Sequence, residues 1–326
     1  MPVAPGRPFG TDVLAIDAAA ETERVVEHLR GSVDRTFHKK GVVVGVSGGI
    51  DSSVSLALAV RALGPGRVIA LILQEKESSP ENPALARQLC RGLGVTPVAE
   101  DITAALEGFG CYRRRDEAIR EVFPEFDSTY RARITLPSLL DSTTLALFSV
   151  TIVSPEGDEL TKRLPLTQYL EIVAATNFKQ RTRMAMLYHH AESRNFAVIG
   201  TANKNERDQG FFVKYGDGGA DVDALAHLYK TQVYQLAAYL GVPEEIQRRP
   251  PTTDTYSAPT TEEDFFFRMP FATMDLLWYA EEHRIGPEEA ARVVGITPEQ
   301  AARAYLEFSR RRKSTAYLRS LVLALP

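Results

Sequence analysis

Residues 41–53 read Gly-Val-Val-Val-Gly-Val-Ser-Gly-Gly-Ile-Asp-Ser-Ser, and this stretch decides the fold. A β-branched run ends in a glycine pair, which is followed by an acid, two hydroxyls and an apolar helical stretch. The pattern predicts a strand that turns tightly into a helix. Gly45, Gly48 and Gly49 allow the backbone to approach an anion, and the start of the helix directs unpaired N–H groups at it. The stretch therefore predicts a phosphate-binding site.

The glycine loop differs from a Walker A loop, because no Gly-Lys-Ser/Thr follows the glycines. This disfavours kinase-type transfer of the γ-phosphate. The string instead resembles the Ser-Gly-Gly-x-Asp-Ser signature of PP-loop ATP pyrophosphatases, which cleave ATP between the α- and β-phosphates to activate a substrate as an adenylate. Asp51 stands where a carboxylate can hold the accompanying Mg²⁺. The alternative interpretation is an ordinary glycine turn between a strand and a helix.

Strand-like and helical segments alternate on both sides of this loop. The strand-like runs are 41–46, 67–73, 96–102 and 196–201, and the helical ones are 52–63, 83–93 and 177–194. Such alternation predicts an α/β fold, a parallel sheet flanked by helices, which is the adenine nucleotide alpha hydrolase-like arrangement that the resemblance also implies. The strands are nearly continuous in Val, Ile and Leu, as expected when helices cover both faces. Ligands should gather at the carboxyl ends of these strands.

Two regions interrupt the alternation. Within 103–170, the runs 145–153 and 159–164 look like two strands joined by a Ser-Pro-Glu-Gly-Asp turn, so we expect an inserted β-hairpin. After Pro250-Pro251 the pattern becomes helical only, at about 272–284, 287–294, 298–312 and 314–324. We therefore predict a nucleotide-binding domain over 1–260, which contains the insertion, and a helical C-terminal extension over 261–326.

Composition excludes several classes of protein. The net charge of −4 over 326 residues argues against a nucleic-acid binder, and the basic runs 113–115 and 310–313 are interpreted as solvated helix faces. Cys90 and Cys111 are too few for a disulfide framework and form no Cys-x-x-Cys pair. The first ten residues do not show the basic-then-apolar pattern of a signal peptide, and no run of 18 apolar residues occurs in the sequence. We expect a cytoplasmic protein with neither nucleic-acid nor membrane partners.

Three further strings carry polar chemistry. Residues 197–206 look like a buried strand that ends in a polar loop, and 210–221 read Gly-Phe-Phe-Val-Lys-Tyr-Gly-Asp-Gly-Gly-Ala-Asp, which is typical of a recognition loop. Leu-Tyr-Lys-Thr at 228–231 opens a helix, and Pro-Pro-Thr-Thr-Asp follows at 250–254.

Together with the glycine loop, these strings resemble the synthetase domain of the NAD⁺ synthetase family, which amidates deamido-NAD with ammonia at the expense of ATP. The resemblance covers about residues 20–102 and 175–256 and keeps the family's motif order and spacing. It implies a ligase that forms a carbon–nitrogen bond and releases AMP and pyrophosphate. The implied ATP contacts are Gly45, Val46, Ser47, Gly48, Gly49, Ile50, Asp51, Ser52, Thr201, Lys230 and Thr252. The implied deamido-NAD contacts are Arg181, Phe211, Lys214 and Asp221, and the implied Mg²⁺ ligands are Asp51 and Glu206.

The residue types suit this chemistry. Attack of a carboxylate on the α-phosphorus of ATP builds negative charge, which Mg²⁺ held by Asp51 and a nearby lysine can offset, and Lys230 is the candidate. Ammonium must lose a proton near the acyl-adenylate, so a carboxylate is needed there. Asp217 and Asp221 are the available pair, and we choose Asp217.

The resemblance also concerns partners. Asn-Phe-Lys-Gln-Arg-Thr-Arg-Met at 177–184 is similar to the family's helix at the dimer interface, so we expect a homodimer. About 40 residues precede the glycine loop, too few for the amino-terminal amidase of the glutamine-dependent relatives. Ammonia would then come from solution or from a separate glutaminase.

The sequence departs from the family's pattern after Asp254. The family continues through Gly-Gln-x-Asp-Glu and closes with His-Lys-Arg, whereas 257–270 differ here and Arg312 and Lys313 are the candidates to replace the basic pair. Phe265 to Phe267 either form the wall of a pocket or pack in the core. Because these departures fall on the acceptor half, an amide ligase for a different carboxylate is an alternative. A nucleotide-binding module without catalysis and a tRNA-thiolating PP-loop enzyme are the other two.

Overall fold

The structure is a computed structural model that describes residues 8–140, 148–252 and 255–324. Asp254 and the first residues of the predicted strand 145–153 lie outside these ranges. In chain order the strands are β1 Val42–Gly45, β2 Val68–Gln74, β3 Val98–Asp101, β4 Arg131–Thr135, β5 Ser149–Val153, β6 Glu159–Arg163, β7 Ala197–Gly200 and β8 Val222–Asp223. The α-helices are α1 Ala18–Gly31, α2 Ile50–Leu63, α3 Asn82–Gly92, α4 Thr103–Gly108, α5 Cys111–Arg120, α6 Leu166–Glu192, α7 Lys204–Gln209, α8 Lys230–Tyr239, α9 Glu244–Arg248, α10 Phe271–Glu282, α11 Pro287–Val294 and α12 Pro298–Ser314.

The main sheet has the order β3-β2-β1-β7-β8, and its neighbouring strands are all parallel. The central strand β1 is completely buried at Val42, Val43 and Val44, because helices cover both faces of the sheet. On one face α1, α2 and α8 contribute to the core, and on the other face α6 packs on β1 and β7. The predicted parallel α/β fold is confirmed.

The order of the strands places the polar loops together. The chain passes from β1 into the glycine loop, from β2 into residues 75–81, and from β7 into residues 201–203. All three strands run in the same direction, so these loops meet at the carboxyl edge of the sheet.

The insertion forms a separate antiparallel sheet in the order β4-β5-β6. The predicted hairpin is β5 with β6, while β4 was not predicted. Only Ala132 and Ile134 of β4 are buried, and arginines flank them, so its apolar signal is short. The helix predicted at 177–194 begins instead at Leu166, because β6 ends close before it and Pro165 directly precedes its first turn.

The C-terminal region is helical. Three of its four predicted helices are present, as α10, α11 and α12. Its core is formed by Trp278, Phe308 and their apolar neighbours on α10 to α12. The helix predicted at 314–324 is wrong, since only a 3₁₀ turn is present at Ala316–Arg319. The Thr315 hydroxyl donates to the Arg311 carbonyl at 2.7 Å at the end of α12, and the residues beyond Ser320 bury no apolar face. Among the described helices, none has the length and apolarity needed to cross a bilayer.

Candidate active site

A cavity of about 710 Å³ opens at the carboxyl edge of the main sheet. The glycine loop forms its floor, the segment after β2 and helix α6 form two walls, and the loop 210–217 forms a third. The segments 249–252 and 255–256, the side chains of Glu262, Phe265 and Phe266, and the turn after α12 complete the lining. The cavity therefore joins elements from the whole length of the chain.

The glycine loop is held by its own hydroxyls. The Ser52 hydroxyl accepts a hydrogen bond from the Ser47 backbone N–H at 3.2 Å and donates to the Gly49 carbonyl at 3.1 Å. The Gly49 N–H donates to the Ser47 hydroxyl at 3.2 Å, and α2 begins at the next residue. All eight residues 45–52 line the cavity, as expected for a phosphate loop at a helix N-terminus.

Gly48 has the strictest requirement in this loop. Its φ of +82° lies in the left-handed region, and a Cβ there would stand 2.7 Å from the Asn82 carbonyl oxygen. We expect Gly48→Ala to raise the KM for ATP about 10- to 100-fold, because backbone strain of about 1–2 kcal/mol adds to the clash. Initial rates against ATP concentration measure this effect.

Gly66→Ala is the matched control. Gly66 also lies in a turn next to the main sheet, but nothing stands within 4 Å of an added Cβ and its φ is not positive. It should leave the KM for ATP unchanged. An unchanged KM in Gly48→Ala as well would contradict the assignment of the loop.

Three carboxylates meet beside the glycine loop. Asp51 lies in the first turn of α2, Glu206 in the first turn of α7, and Glu262 in the segment before α10. One oxygen of each lies within 4.8 Å of the others. The Asn203 side chain donates to Asp51 at 3.0 Å and caps α7, where it accepts from the Glu206 N–H at 3.1 Å.

Lys230, the first residue of α8, neutralises part of this cluster. Its Nζ donates to Asp51 at 2.6 Å and to Glu262 at 3.1 Å, and its side chain is completely buried. Burial alone would lower the pKa of Lys230, but Asp51, Glu262 and Glu206 together raise it well above its usual range. Lys230 does not line the cavity, so its charge acts there through Asp51 and Glu262, which do.

The cluster suits a divalent cation. Burial raises the pKa of Glu206 well above its usual range, and the charges of Asp51 and Glu262 raise it further. Three carboxylates and one ammonium leave two negative charges when all are ionised. Carboxylate oxygens at such spacing are the ligands that Mg²⁺ prefers. The residues present therefore fit Mg²⁺, with Glu262 as a third carboxylate.

Thr201 and Thr252 also line the cavity. Thr252 pairs with Thr261 in an isolated antiparallel bridge, and this pairing brings the next residue, Glu262, to the cluster. The structure thus places every predicted ATP contact other than Lys230 at the cavity wall.

The side of the cavity that is predicted to bind the acceptor is aromatic and basic. Arg181, Phe211, Lys214 and Asp217 line it, and the Phe211 ring stacks on Phe266 with centroids 4.6 Å apart. The run Phe265 to Phe267 serves both of the roles considered for it. Phe265 and Phe266 line the cavity, whereas Phe267 is buried in the C-terminal core.

The C-terminal turn closes this side of the cavity. The Lys214 ammonium donates to the carbonyl oxygens of Tyr317 at 2.9 Å and Ser320 at 3.1 Å. Arg312 does not line the cavity. It donates to Glu281 at 2.8 Å and stacks over Trp278, while Lys313 is exposed.

The two candidate proton acceptors lie in different places. Asp217 faces the cavity and accepts a hydrogen bond from the Val213 N–H at 2.7 Å, and burial raises its pKa to about 6. Asp221 lies outside the cavity lining. It accepts from the Val198 N–H at 2.8 Å and from the Tyr188 hydroxyl at 3.0 Å, so it joins β7 to α6.

Two parts of the site were missed by sequence reasoning. Glu262 lies in the stretch 257–270 that departs from the family's pattern, and the acidic pair in Thr-Thr-Glu-Glu at 260–263 is the signal in the sequence that could have indicated it. The segment 75–82 was not singled out, yet Ser78 and Asn82 line the cavity and the Arg249 guanidinium fixes the Asn82 side chain at 2.9 Å.

A glycine loop at the end of β1 and a carboxylate cluster that a buried lysine partly neutralises lie at the carboxyl edge of one parallel sheet, and this is the adenine nucleotide alpha hydrolase-like α/β fold. The sequence model described as NAD synthase matches residues 21–136 and 141–320. The chain belongs to the NAD synthase family.

Individual relatives agree with this assignment. The NH(3)-dependent NAD(+) synthetase of Rhizobium meliloti (strain 1021) is 47% identical over 310 residues, which are 95% of this chain and 92% of the relative. That of Thermotoga maritima is 36% identical over 254 residues, 78% of this chain and 84% of the relative. The family match thus extends through most of the insertion and the C-terminal region, beyond the ranges 20–102 and 175–256.

Solved structures share the fold. The NH3-dependent NAD synthetase from Campylobacter jejuni superposes with a TM-score of 0.62 at 24% identity, over 95% of this chain and all of that one. The NMN synthetase from Francisella tularensis superposes with a TM-score of 0.63 at 23% identity, over 95% of this chain and 99% of that one.

Proposed function

We propose that this protein amidates deamido-NAD to NAD⁺ with ammonia, and that it consumes ATP and releases AMP and pyrophosphate. Family membership and the relatives' printed activity support this reaction. The observation that carries the proposal is one cavity in which a phosphate loop and a carboxylate cluster face an aromatic, basic wall. This arrangement can place a carboxylate of the acceptor beside the α-phosphate of ATP.

The residues divide the first step between them. The glycine loop binds the phosphates and holds the pyrophosphate as it leaves. Asp51, Glu206 and Glu262 would hold Mg²⁺, which when bound would supply positive charge to offset the negative charge that develops at phosphorus. Lys230 holds Asp51 and Glu262 together through its two hydrogen bonds, and Thr201 and Thr252 contact ATP. Reaction of the acceptor carboxylate at the α-phosphorus then gives an acyl-adenylate.

Ammonia reacts with the acyl-adenylate in the second step. Ammonium is the abundant form at neutral pH and must lose a proton before its nitrogen can attack. Asp217 lies at the acceptor side of the cavity, and with a pKa of about 6 its carboxylate is ionised at neutral pH. We assign proton acceptance to Asp217, while Arg181, Phe211 and Lys214 bind the acceptor. Asp221 positions α6 against β7 in this proposal.

Asp217→Asn tests the assignment through pH. As the pH is raised, the ratio of the wild-type rate to the variant rate should increase about tenfold per pH unit up to about pH 6 and stay constant at higher pH. The reason is that only the ionised Asp217 carboxylate accepts a proton. Using the ratio cancels the change in free ammonia with pH. Steady-state rates at fixed total ammonium between pH 5 and 8 measure it.

Asp221→Asn is the control for this experiment, since that carboxylate lies outside the cavity lining. Its rate ratio should not change with pH. A flat ratio for Asp217→Asn would remove the proton acceptor from the account.

We also propose a homodimer, with ammonia taken from solution or from a separate glutaminase in the cytoplasm. The exposed positions of α6 are 166, 167, 170, 171 and 174, and then 181, 185, 189 and 192; they include Leu166 and Leu170, which are 70% and 55% exposed. Exposed leucines on a helix support packing against a second copy. Light scattering should give a dimer mass at micromolar concentration, and a monomer mass would contradict the proposal.

The buried thiols of Cys90 and Cys111, which form no disulfide, suit the reducing compartment that we propose.

Product analysis tests the reaction itself. The purified protein with ATP, Mg²⁺, ammonium and deamido-NAD should form pyrophosphate and NAD⁺ in equal amounts. Formation of pyrophosphate only when a different carboxylate replaces deamido-NAD would refute the acceptor and keep the activating chemistry.

A further inference from the structure

A buried carboxylate outside the cavity connects two parts of the site. Asp275 lies in the second turn of α10 and has no exposed surface. It accepts a hydrogen bond from the Asn205 side-chain amide at 2.5 Å and a second one from the Thr231 backbone N–H at 2.8 Å. Asn205 precedes Glu206 in the chain, and Thr231 follows Lys230.

Each of these hydrogen bonds fixes a helix start. The Thr231 N–H belongs to the first turn of α8, where no intrahelical carbonyl is available to accept it. Asn205 lies in the first turn of α7 and is 99% buried, so its amide needs an internal acceptor. Asp275 supplies both acceptors from a third helix, and the two charge-assisted bonds are stronger than neutral ones.

The same helix also contacts the lysine directly. The ring of Phe271, the first residue of α10, lies with its centroid 5.1 Å from the Lys230 Nζ. The Phe271 N–H donates to Glu263 at 2.7 Å, next to Glu262. Helix α10 therefore contacts three of the segments that carry the cluster, although none of its own residues lines the cavity.

We propose that Asp275 is a positioning residue for the amidation reaction, and that its carboxylate sets the position of Glu206 relative to Lys230. This inference rests on the proposed function. It assigns to the C-terminal helices a role in assembling the site. A cluster whose members lie within 4.8 Å of one another tolerates little displacement, since misplacement by about 1 Å can cost about 100-fold in rate.

Three variants test the proposal. Asp275→Ala removes the acceptor of both hydrogen bonds, and Asn205→Ala removes one of the two bonds. Leu277→Ala is the control, because it removes a buried side chain from α10 and leaves both hydrogen bonds in place. The readouts are kcat, Tm, the KM for ATP, and the affinity for Mn²⁺ by electron paramagnetic resonance with α,β-methylene-ATP present. The last readout does not depend on turnover.

We expect Asp275→Ala and Asn205→Ala to weaken Mn²⁺ affinity and to lower kcat, each by about 10- to 100-fold, with the KM for ATP near the wild-type value. Leu277→Ala should lower Tm and leave Mn²⁺ affinity and kcat near wild type. If the first two variants only lower Tm, as Leu277→Ala does, the proposal is overturned. Should Asp275→Ala fail to fold, Asn205→Ala decides. A wild-type protein that makes no NAD⁺ refutes the proposed function, and the Mn²⁺ comparison still tests the positioning.

Discussion

Asp51→Ala is expected to slow pyrophosphate release by about 10²- to 10³-fold, the loss typical when a group that stabilises developing charge is removed. Asp51 lines the cavity beside the phosphate loop, and it accepts the Lys230 ammonium at 2.6 Å. Its removal takes one oxygen ligand from the cluster and breaks the shorter of the two hydrogen bonds that Lys230 makes to cavity-lining carboxylates. Pyrophosphate release in a coupled assay measures the effect.

Folding should survive this change, because Lys230 keeps its bond to Glu262. Far-ultraviolet circular dichroism checks this. Glu23→Gln is the control, since Glu23 forms an exposed ion pair with Arg61 at 2.8 Å, away from the cavity lining. Wild-type pyrophosphate release by Asp51→Ala would show that the cluster takes no part in activating ATP.

Lys230→Met should have the largest effect on stability. The variant leaves the carboxylates of Asp51, Glu206 and Glu262 without an internal cation, and breaking a buried ion pair in this way costs about 3–5 kcal/mol. Mg²⁺ can replace the missing charge. At about 100 times its Kd a ligand of the native state adds about 2.7 kcal/mol, and the variant should bind Mg²⁺ more tightly than the wild type. Urea unfolding with Mg²⁺ and with EDTA measures both quantities.

Lys204→Met is the matched control. Lys204 also opens a short helix and pairs with two carboxylates, Asp208 at 2.6 Å and Glu282 at 2.8 Å, but outside the cluster. Its unfolding free energy should respond to Mg²⁺ as the wild type does. An equal response to Mg²⁺ in Lys230→Met would mean that the three carboxylates do not form a cation site.

The parts that could be predicted from sequence are those with a local signal. The glycine loop, the strands β1, β2, β3 and β7 and the start of α11 at Pro287 each depend on residues close together in the chain, whereas the two-residue strand β8 of the same sheet was not predicted. The carboxyl-edge rule then placed Asp51 near Thr201, because parallel strands bring their following loops together.

The parts that could not be predicted depend on distant pairings. The place of Glu262 in the cluster depends on the pairing of Thr252 with Thr261 and on the bond from the Glu262 N–H to the Pro251 carbonyl, and Asp275 is recognisable only once α10 lies against α7 and α8. The cavity position of Asp217 and the outside position of Asp221 follow from how one loop folds back on α6 and β7. Hydrophobic periodicity predicts helices and strands, and it does not predict these contacts between distant residues.

The central claim is that the acceptor carboxylate reacts at the α-phosphorus of ATP, and transfer of an oxygen label tests it most directly. Deamido-NAD labelled with ¹⁸O in its carboxylate would be converted with ATP, Mg²⁺ and ammonium, and the products analysed by mass spectrometry. The account predicts that AMP carries ¹⁸O from the carboxylate and that pyrophosphate carries none. Unlabelled AMP, or label in pyrophosphate or phosphate, would contradict it.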